Sequence, residues 1–242
     1  MLTAMIGVSG CGRETGSKTV RISAAASLSN VLEDIVETGR TRLESPVRIH
    51  TAGSQMVARQ IAEGQPADIV FLANQRWMDH LEERGKIVAK SRVELLSNRI
   101  VLIGKTGAPQ DIEEANDLRR YPGKLALGNP QGVPAGIYAR QTLQSMGIWS
   151  HVEDQIVSFP HVRATLSAVS SGSISLGIVY ETDAQLLEDI NIIARLPAGH
   201  TPEIRYPVAL VKGYSEHAKK WFEELKNSAS QYEKHGFHYL SP

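Results

Sequence analysis

Beyond residue 20 the chain alternates two patterns of apolar and polar positions. Short apolar runs predict strands, whereas apolar residues that recur every three or four positions predict helices with one buried face. Strands are predicted over residues 20–25, 47–51, 69–73, 99–104, 124–128, 156–159, 175–180, 191–194 and 205–211. Helices are predicted over residues 28–36, 56–63, 75–83, 134–146, 161–170, 214–227 and 229–235. Strands that alternate with helices in this way predict an α/β fold.

The alternation falls into two series, separated by a polar stretch over residues 105–123, and the last strand and helices return to the first series. We therefore predict a first lobe of residues 20–102 and 203–242 and a second lobe of residues 103–202. Each lobe is predicted to be a mixed, mostly parallel sheet covered by helices. Ligands of such paired lobes bind in the cleft between them.

Composition and charge narrow the class of function. The 242 residues are 42% hydrophobic and 21% charged, which is typical of a globular protein. The 26 Lys and Arg residues balance the 26 Asp and Glu residues, so there is no basic excess to attract nucleic acid. After residue 20 the chain has no run of about 18 apolar residues, so its body is predicted to be soluble rather than membrane-spanning.

The single cysteine, Cys11, excludes an internal disulfide and any Cys-x-x-Cys motif. It follows an apolar stretch and the small residues Ser9 and Gly10, an order that resembles the lipobox of bacterial lipoproteins. Residues 1–19 are therefore predicted to be a truncated signal segment with its lipobox and a polar tether, with Cys11 lipidated and the body outside the cytoplasm. The alternative is an apolar terminus with an incidental cysteine.

Catalytic signatures are missing from the sequence. It contains no Gly-x-Ser-x-Gly elbow, no phosphate-binding loop ending in Gly-Lys-Ser/Thr and no His-Glu-x-x-His motif. The 8 histidines are dispersed, and ordinary paired or solvated side chains are predicted for His50, His80, His151 and His161. The protein is therefore predicted not to be an enzyme. Covalent modification of Ser27 by an acyl or phosphoryl reagent would contradict this.

Small polar groups follow the strands at the points where helices begin. Ser27 and Ser54 each come after a strand and are predicted to be the N-caps of the next helices. In the second series the helix starts at Ala135 and Val162 offer free backbone amides, and Tyr180 ends an apolar strand with a hydroxyl. Unpaired N–H groups and the helix dipole at such positions favour an anion. The alternative is that the serines only cap their helices and the tyrosine faces water at the edge of the core.

These residues lie in stretches that resemble the molybdate-binding proteins of bacterial ABC importers, a branch of the two-lobed periplasmic binding proteins of type II. The matching stretches, which run in order over residues 20–240, include Ala24-Ala25-Ala26-Ser27-Leu28, Ala58-Arg59-Gln60-Ile61, Pro66-Ala67-Asp68-Ile69, Val133-Pro134-Ala135-Gly136, Leu176-Gly177-Ile178-Val179-Tyr180 and Tyr206-Pro207-Val208-Ala209. The chain departs from the family pattern at Gly53-Ser54-Gln55, where a serine-rich turn is common, and at Pro160-His161, where acidic residues are expected.

The resemblance implies that one tetrahedral oxyanion, molybdate or tungstate, is bound in the cleft between the lobes. The residues implied to hold its oxygens, with no direct ligand to the metal, are Ser27, Ser54, Ala135, Val162 and Tyr180. The resemblance further implies a monomer outside the cytoplasm that delivers the anion to an ABC permease and its ATPase subunit. No cofactor and no reaction are implied.

Hydroxyl and amide donors suit this ligand, because molybdate, tungstate and sulfate are fully deprotonated near neutral pH and only accept hydrogen bonds. A protonated phosphate would also need an acceptor, and Asp68, which follows Pro66-Ala67, is better placed for a cap or hinge role. Two alternatives remain. One is the same fold tuned to sulfate or another small anion, and the other is the effector-sensing domain of a cytoplasmic regulator, which would need a fused DNA-binding segment.

Overall fold

The computed structural model describes residues 19–107, 109 and 111–241, so Cys11 and the predicted tether lie outside the described residues. The strands are β1 Val20–Ala25, β2 Val47–Ala52, β3 Ile69–Phe71, β4 Val93–Ser97, β5 Ile100–Lys105, β6 Leu125–Gly128, β7 Ile156–Phe159, β8 Leu176–Tyr180, β9 Ile190–Arg195, β10 Tyr206–Leu210 and β11 His238–Tyr239. The helices are α1 Ser29–Leu43, α2 Ser54–Ala62, α3 Gln75–Glu83, α4 Pro134–Ser145, α5 Trp149–Val152, α6 Val162–Ser170, α7 Glu181–Ala184, α8 Glu216–Lys226 and α9 Ala229–Lys234.

The strands form two mixed sheets. The first sheet has the strand order β11-β4-β10-β3-β1-β2, with β1 parallel to both β2 and β3, and with β10 antiparallel to β3 and β4. The second sheet has the order β7-β6-β8-β5-β9, with β6 parallel to β7 and β8, and with β5 antiparallel to β8 and β9. The predicted α/β fold with two mixed sheets covered by helices is confirmed.

The chain passes from the first sheet to the second between β4 and β5 and returns between β9 and β10. All of β5 pairs within the second sheet, so the first crossing lies at Asn98-Arg99. The predicted boundary after residue 102 therefore falls inside this strand. The division of the chain into two lobes stays a prediction, with the change of sheet at Asn98 as its natural boundary.

The bounds of α3 and β7 agree with the prediction, but strand β4 was not expected from the sequence. The residues of β4, Val93–Ser97, alternate only weakly between apolar and polar, and of these only Leu95 and Leu96 are buried. The strand is held between two antiparallel partners, β10 and β11, which are distant in sequence. Its existence therefore depends on the tertiary structure rather than on a strong local pattern.

Helix α1 covers the first sheet with the apolar face that the sequence predicts. Val31, Leu32 and Ile35 are at most 1% exposed. Gly39 lets α8 approach closely, because a Cβ atom there would lie 2.9 Å from ring atoms of Trp221. No helix within the described ranges is long and apolar enough to cross a membrane.

Candidate functional site

A small cavity lies between the two sheets' parts of the chain. It is lined by helix starts that follow strands of the first sheet and by helix starts that follow strands of the second. Its walls from the first sheet are Ala25, Ala26, Ser27, Gly53, Ser54 and Ala73, and its walls from the second are Val133, Pro134, Ala135, His161, Val162 and Tyr180. All five residues that the sequence singles out as anion donors therefore line one cavity. Their role as ligands is taken up below as a proposal.

Ser27 reaches the cavity from a short 3-10 turn rather than from a helix cap. The turn spans Ala26–Leu28 between β1 and α1, and the residue that caps it is Ala25. The predicted N-cap role of Ser27 is therefore wrong, because the chain tightens into this turn before α1 begins. Ser27 is 3% exposed, and its hydroxyl oxygen lies 3.3 Å from Tyr206 Oη.

Ser54 is the first residue of α2, and the N-cap predicted for it is occupied by Gly53. The Ser54 hydroxyl oxygen accepts a hydrogen bond of 3.0 Å from the Ala73 amide. Because this acceptor role leaves the hydroxyl hydrogen unused, the hydrogen is available to a ligand. Gly53 has no room for a side chain, because a Cβ atom there would lie 2.6 Å from the carbonyl oxygen of Pro160, in the part of the chain that carries the second sheet.

Two helix starts bring backbone amides to the opposite wall. Helix α4 has Val133 as its N-cap and Pro134 as its first residue, so the Ala135 amide lies in the first turn, where no preceding turn supplies an acceptor. Helix α6 begins at Val162 and is capped by His161, whose Nδ1 accepts from the Ala164 amide at 3.1 Å. The histidine is therefore a capping side chain, in line with the ordinary role predicted for it.

His161 adds no positive charge to the cavity wall. Burial, together with the neighbouring Arg163, lowers the pKa of its imidazole. Nδ1 carries no proton, because it accepts a hydrogen bond from a backbone amide, so the imidazole ring is neutral. Of the residues that line the cavity, none is a lysine, arginine, aspartate or glutamate.

Tyr180 ends β8 and is 1% exposed. Its hydroxyl makes no hydrogen bond of acceptable geometry in the described part of the chain, although the Tyr206 side chain lies beside it with ring centroids 5.6 Å apart. Burial raises the pKa of this phenol well above its ordinary value, so it keeps its proton. An unmet buried donor costs about 1–3 kcal/mol, which favours an acceptor in the cavity.

The donor set defines what the cavity can bind. Hydroxyls of two serines and a tyrosine, together with first-turn amides, donate hydrogen bonds, whereas no carboxylate lines the wall to accept one. Across residues 19–107, 109 and 111–241 no group of three or more His, Cys, Asp or Glu side chains could hold a bare metal ion. The arrangement suits a small anion without protons.

The family model "Bacterial extracellular solute-binding protein" matches residues 20–238 of this chain. The chain belongs to the bacterial extracellular solute-binding proteins. This family membership agrees with a ligand cavity between two sheets and with a location outside the cytoplasm.

Similar members of the solute-binding family include proteins named for molybdate. The molybdate-binding protein ModA of Escherichia coli (strain K12) is 32% identical over an alignment of 226 positions that covers 90% of this chain and 88% of that protein. The putative ABC transporter substrate-binding lipoprotein YvgL of Bacillus subtilis (strain 168) is 32% identical over an alignment of 247 positions that covers 98% of this chain and 95% of that protein. The periplasmic molybdate-binding protein of Azotobacter vinelandii shares the fold with a TM-score of 0.81 at 20% identity, covering 92% of this chain and 99% of that one.

Several residues around the cavity carry contacts that the sequence did not reveal. Tyr206 stands next to Ser27, and Asn98 donates to the Tyr206 hydroxyl. Arg163 reaches from α6 to Asn30, whose Oδ1 lies 2.8 Å from Nη1. Arg163 also pairs with the buried carboxylate of Asp183. Because these partners lie far apart in sequence, no spacing pattern could have found them.

Asp68 does not line the cavity. Its Oδ2 accepts from the Arg21 amide at 2.9 Å, and its Oδ1 accepts from the amide of Ser215 at 2.7 Å. Ser215 is the N-cap of α8, so the carboxylate ties the start of that helix to β1. Asp68 therefore has a structural role, but it is this tie between β1 and α8 rather than the predicted cap or hinge.

Proposed function

We propose that the protein captures molybdate, and the nearly isosteric tungstate, as the substrate-binding subunit of an ABC importer. The observation that carries the proposal is the cavity itself: buried hydroxyl and amide donors converge from both sheets, and the Tyr180 hydroxyl has no partner among the described residues. The relatives named for molybdate support the choice of anion. Ser27, Ser54, Ala135, Val162 and Tyr180 are the proposed ligands.

Binding closes the cleft in this proposal, because the anion accepts hydrogen bonds from both sides at once. A ligand shifts the balance between open and closed forms only through contacts that differ between them. Two further bonds join the same walls: Trp77 Nε1 donates to the Gly132 carbonyl at 2.8 Å, and Gln55 Nε2 donates to the Pro160 carbonyl at 2.8 Å.

The closed protein would then present the anion to a membrane permease and its ATPase subunit, without catalysing a reaction and as a monomer. We further propose that Cys11 carries a lipid anchor, since the similar Bacillus subtilis protein is named a lipoprotein. Mass spectrometry of the protein extracted from membranes tests the anchor. An unmodified Cys11 in a chain that still begins with Met1 would contradict it.

Calorimetric titration with molybdate, tungstate, sulfate and phosphate tests the ligand. Ser27→Ala and Tyr180→Phe should each weaken molybdate binding about 10- to 100-fold, because each removes a hydrogen bond to a charged acceptor. Tyr232→Phe is the matched control: it also removes a buried hydroxyl that lacks a partner within the described residues, but it does not line the cavity.

Unchanged molybdate affinity in both site variants would refute the assigned ligands. Tight sulfate binding with none for molybdate would favour the alternative in which the same fold serves another anion.

A further inference from the structure

Tyr206 is a buried neighbour of Ser27 and of Tyr180, two residues that line the cavity. It is fully buried at the start of β10, and its Oη is 3.3 Å from Ser27 Oγ. It does not line the cavity itself. Any effect of Tyr206 on a ligand therefore acts through a neighbour that does line the cavity: Ser27, or Tyr180, whose ring centroid lies 5.6 Å from that of Tyr206.

Asn98 fixes the direction of the hydrogen bonds around Tyr206. Its Oδ1 accepts from the Arg99 backbone amide at 2.8 Å, and a backbone amide is always a donor. The other end of the side chain, Nδ2, therefore points at Tyr206 Oη at 3.3 Å and at Thr182 Oγ1 at 2.9 Å. The Tyr206 oxygen thus accepts from Asn98.

The phenol hydrogen of Tyr206 has two neighbouring hydroxyls, those of Ser27 and Tyr180. We assign it to Ser27, because Ser27 Oγ lies within hydrogen-bond reach at 3.3 Å whereas the Tyr180 hydroxyl makes no hydrogen bond of acceptable geometry among the described residues. Burial raises the pKa of Tyr206, so this hydrogen stays in place at neutral pH. If Tyr206 donates to Ser27 Oγ, the serine hydrogen turns toward the cavity. In the opposite arrangement Ser27 would direct lone pairs at an anion, which repels it.

We propose that Asn98, Tyr206 and Ser27 form a one-way hydrogen-bond relay that holds the Ser27 hydroxyl as a donor and so selects oxyanions without protons. Asn98 and Tyr206 are positioning residues in this relay. The inference rests on the proposed function and deepens it, since it states how the site rejects an anion that needs an acceptor. Both residues stand where the chain crosses between the sheets, Asn98 after β4 and Tyr206 at the start of β10.

The test compares molybdate with inorganic phosphate at about pH 8, where phosphate is mainly a dianion that carries one hydrogen. The two ligands then have the same charge and differ in the need for an acceptor. Tyr206→Phe keeps the ring and removes the relay hydrogen, so the molybdate Kd should rise about five- to tenfold, as expected for one long hydrogen bond. Tyr232→Phe, a buried hydroxyl away from the cavity, should leave the Kd unchanged.

Asn98→Asp replaces the donor by an acceptor and reverses the relay. The Ser27 oxygen then faces the cavity, so molybdate should bind about 100-fold more weakly. The ratio of the phosphate Kd to the molybdate Kd should fall at least about tenfold, because phosphate carries a hydrogen that the reversed Ser27 oxygen can accept and molybdate carries none. A repulsive charge alone would weaken both dianions alike and leave the ratio unchanged. A general loss of structure would not move this ratio.

The double variant separates the relay from local charge. In the Tyr206→Phe background the relay is cut, so Asn98→Asp should change the ratio at least about fivefold less than it does alone. An equal change in both backgrounds, or an unchanged molybdate Kd in Tyr206→Phe, would overturn the relay. A wild-type protein that binds no molybdate would instead overturn the proposed function, and this inference with it.

Discussion

The carboxyl group of Asp183 shows how single buried groups set the chemistry around the cavity. It is fully buried one turn after Tyr180, with Oδ1 paired to the Arg163 guanidinium and Oδ2 without a partner in the described part of the chain. Burial raises the pKa of this carboxyl to about 6, although Arg163 acts in the opposite direction. The protein thus keeps a titrating acid close to an anion cavity.

This raised pKa predicts a pH-dependent stability. A carboxyl that titrates at about 6 when folded and at 3.8 when unfolded stabilises the folded state fully below about pH 4, and the contribution is lost as the pH rises through about 6. Between these values the free energy of unfolding of the wild type should fall by about 2 kcal/mol relative to Asp183→Asn. Urea unfolding across this range measures it.

Asp111→Asn removes an exposed carboxyl and serves as the control for the urea series. Parallel pH profiles for the wild type and Asp183→Asn would contradict the expected loss of stability.

At the scale of elements, the position of the Ala135 amide depends on how closely α4 sits on β6. A Cβ atom on Gly136 would lie 1.8 Å from the Gly128 carbonyl oxygen, so this contact is possible only between glycine and backbone. The closeness carries the first turn of α4 into the cavity wall. Small residues in the sequence here serve packing as well as ligand access.

Gly136→Ala should therefore push α4 away from β6. We expect a loss of about 2 kcal/mol in the free energy of unfolding, since overpacking exceeds the gain in helix propensity. The molybdate Kd should rise as the Ala135 amide moves. Gly199→Ala is the control, because a Cβ there meets nothing within 4 Å. Equal stability and affinity in the two variants would show that α4 can shift without cost.

At the scale of the whole molecule, bonds between the two sheets' parts of the chain hold the cavity walls together. Trp77 donates to the Gly132 carbonyl, Gln55 donates to the Pro160 carbonyl, and the Arg163 Nη2 donates to the Ser27 carbonyl at 3.3 Å. None of these three donors is among the proposed ligands of the anion. They favour the closed form in addition to the ligand.

Trp77→Phe should speed the release of molybdate. The ring stays apolar, but the 2.8 Å bond to Gly132 is lost, so we expect dissociation to be about two- to tenfold faster. Stopped-flow dilution of the loaded protein measures the rate. Trp149→Phe is the control, because Trp149 Nε1 bonds to Glu153 four residues away. Identical release rates in the two variants would mean that the Trp77 bond does not hold the cleft closed.

Much of the architecture was predictable because it is local. The 3.6-residue period placed α3 at its observed bounds, and Gly64, which follows the C-cap of α2, has the positive φ of 100° that favours glycine at a helix end. The predicted caps were wrong at Ser27 and Ser54, where a 3-10 turn and Gly53 shift the helix starts. Shifts of one or two residues at a helix start depend on the tertiary contacts of that turn.

By itself the sequence determined the alternation of strands and helices and the small donor residues at the helix starts, since period and residue chemistry act over a few neighbouring positions. Only the tertiary structure decided that Ser27 meets Tyr206, 179 residues away, and that Arg163 meets Asn30, 133 residues away. The physical reason is that a hydrogen bond requires two groups within about 3 Å, and for distant residues this depends on the packing of both sheets.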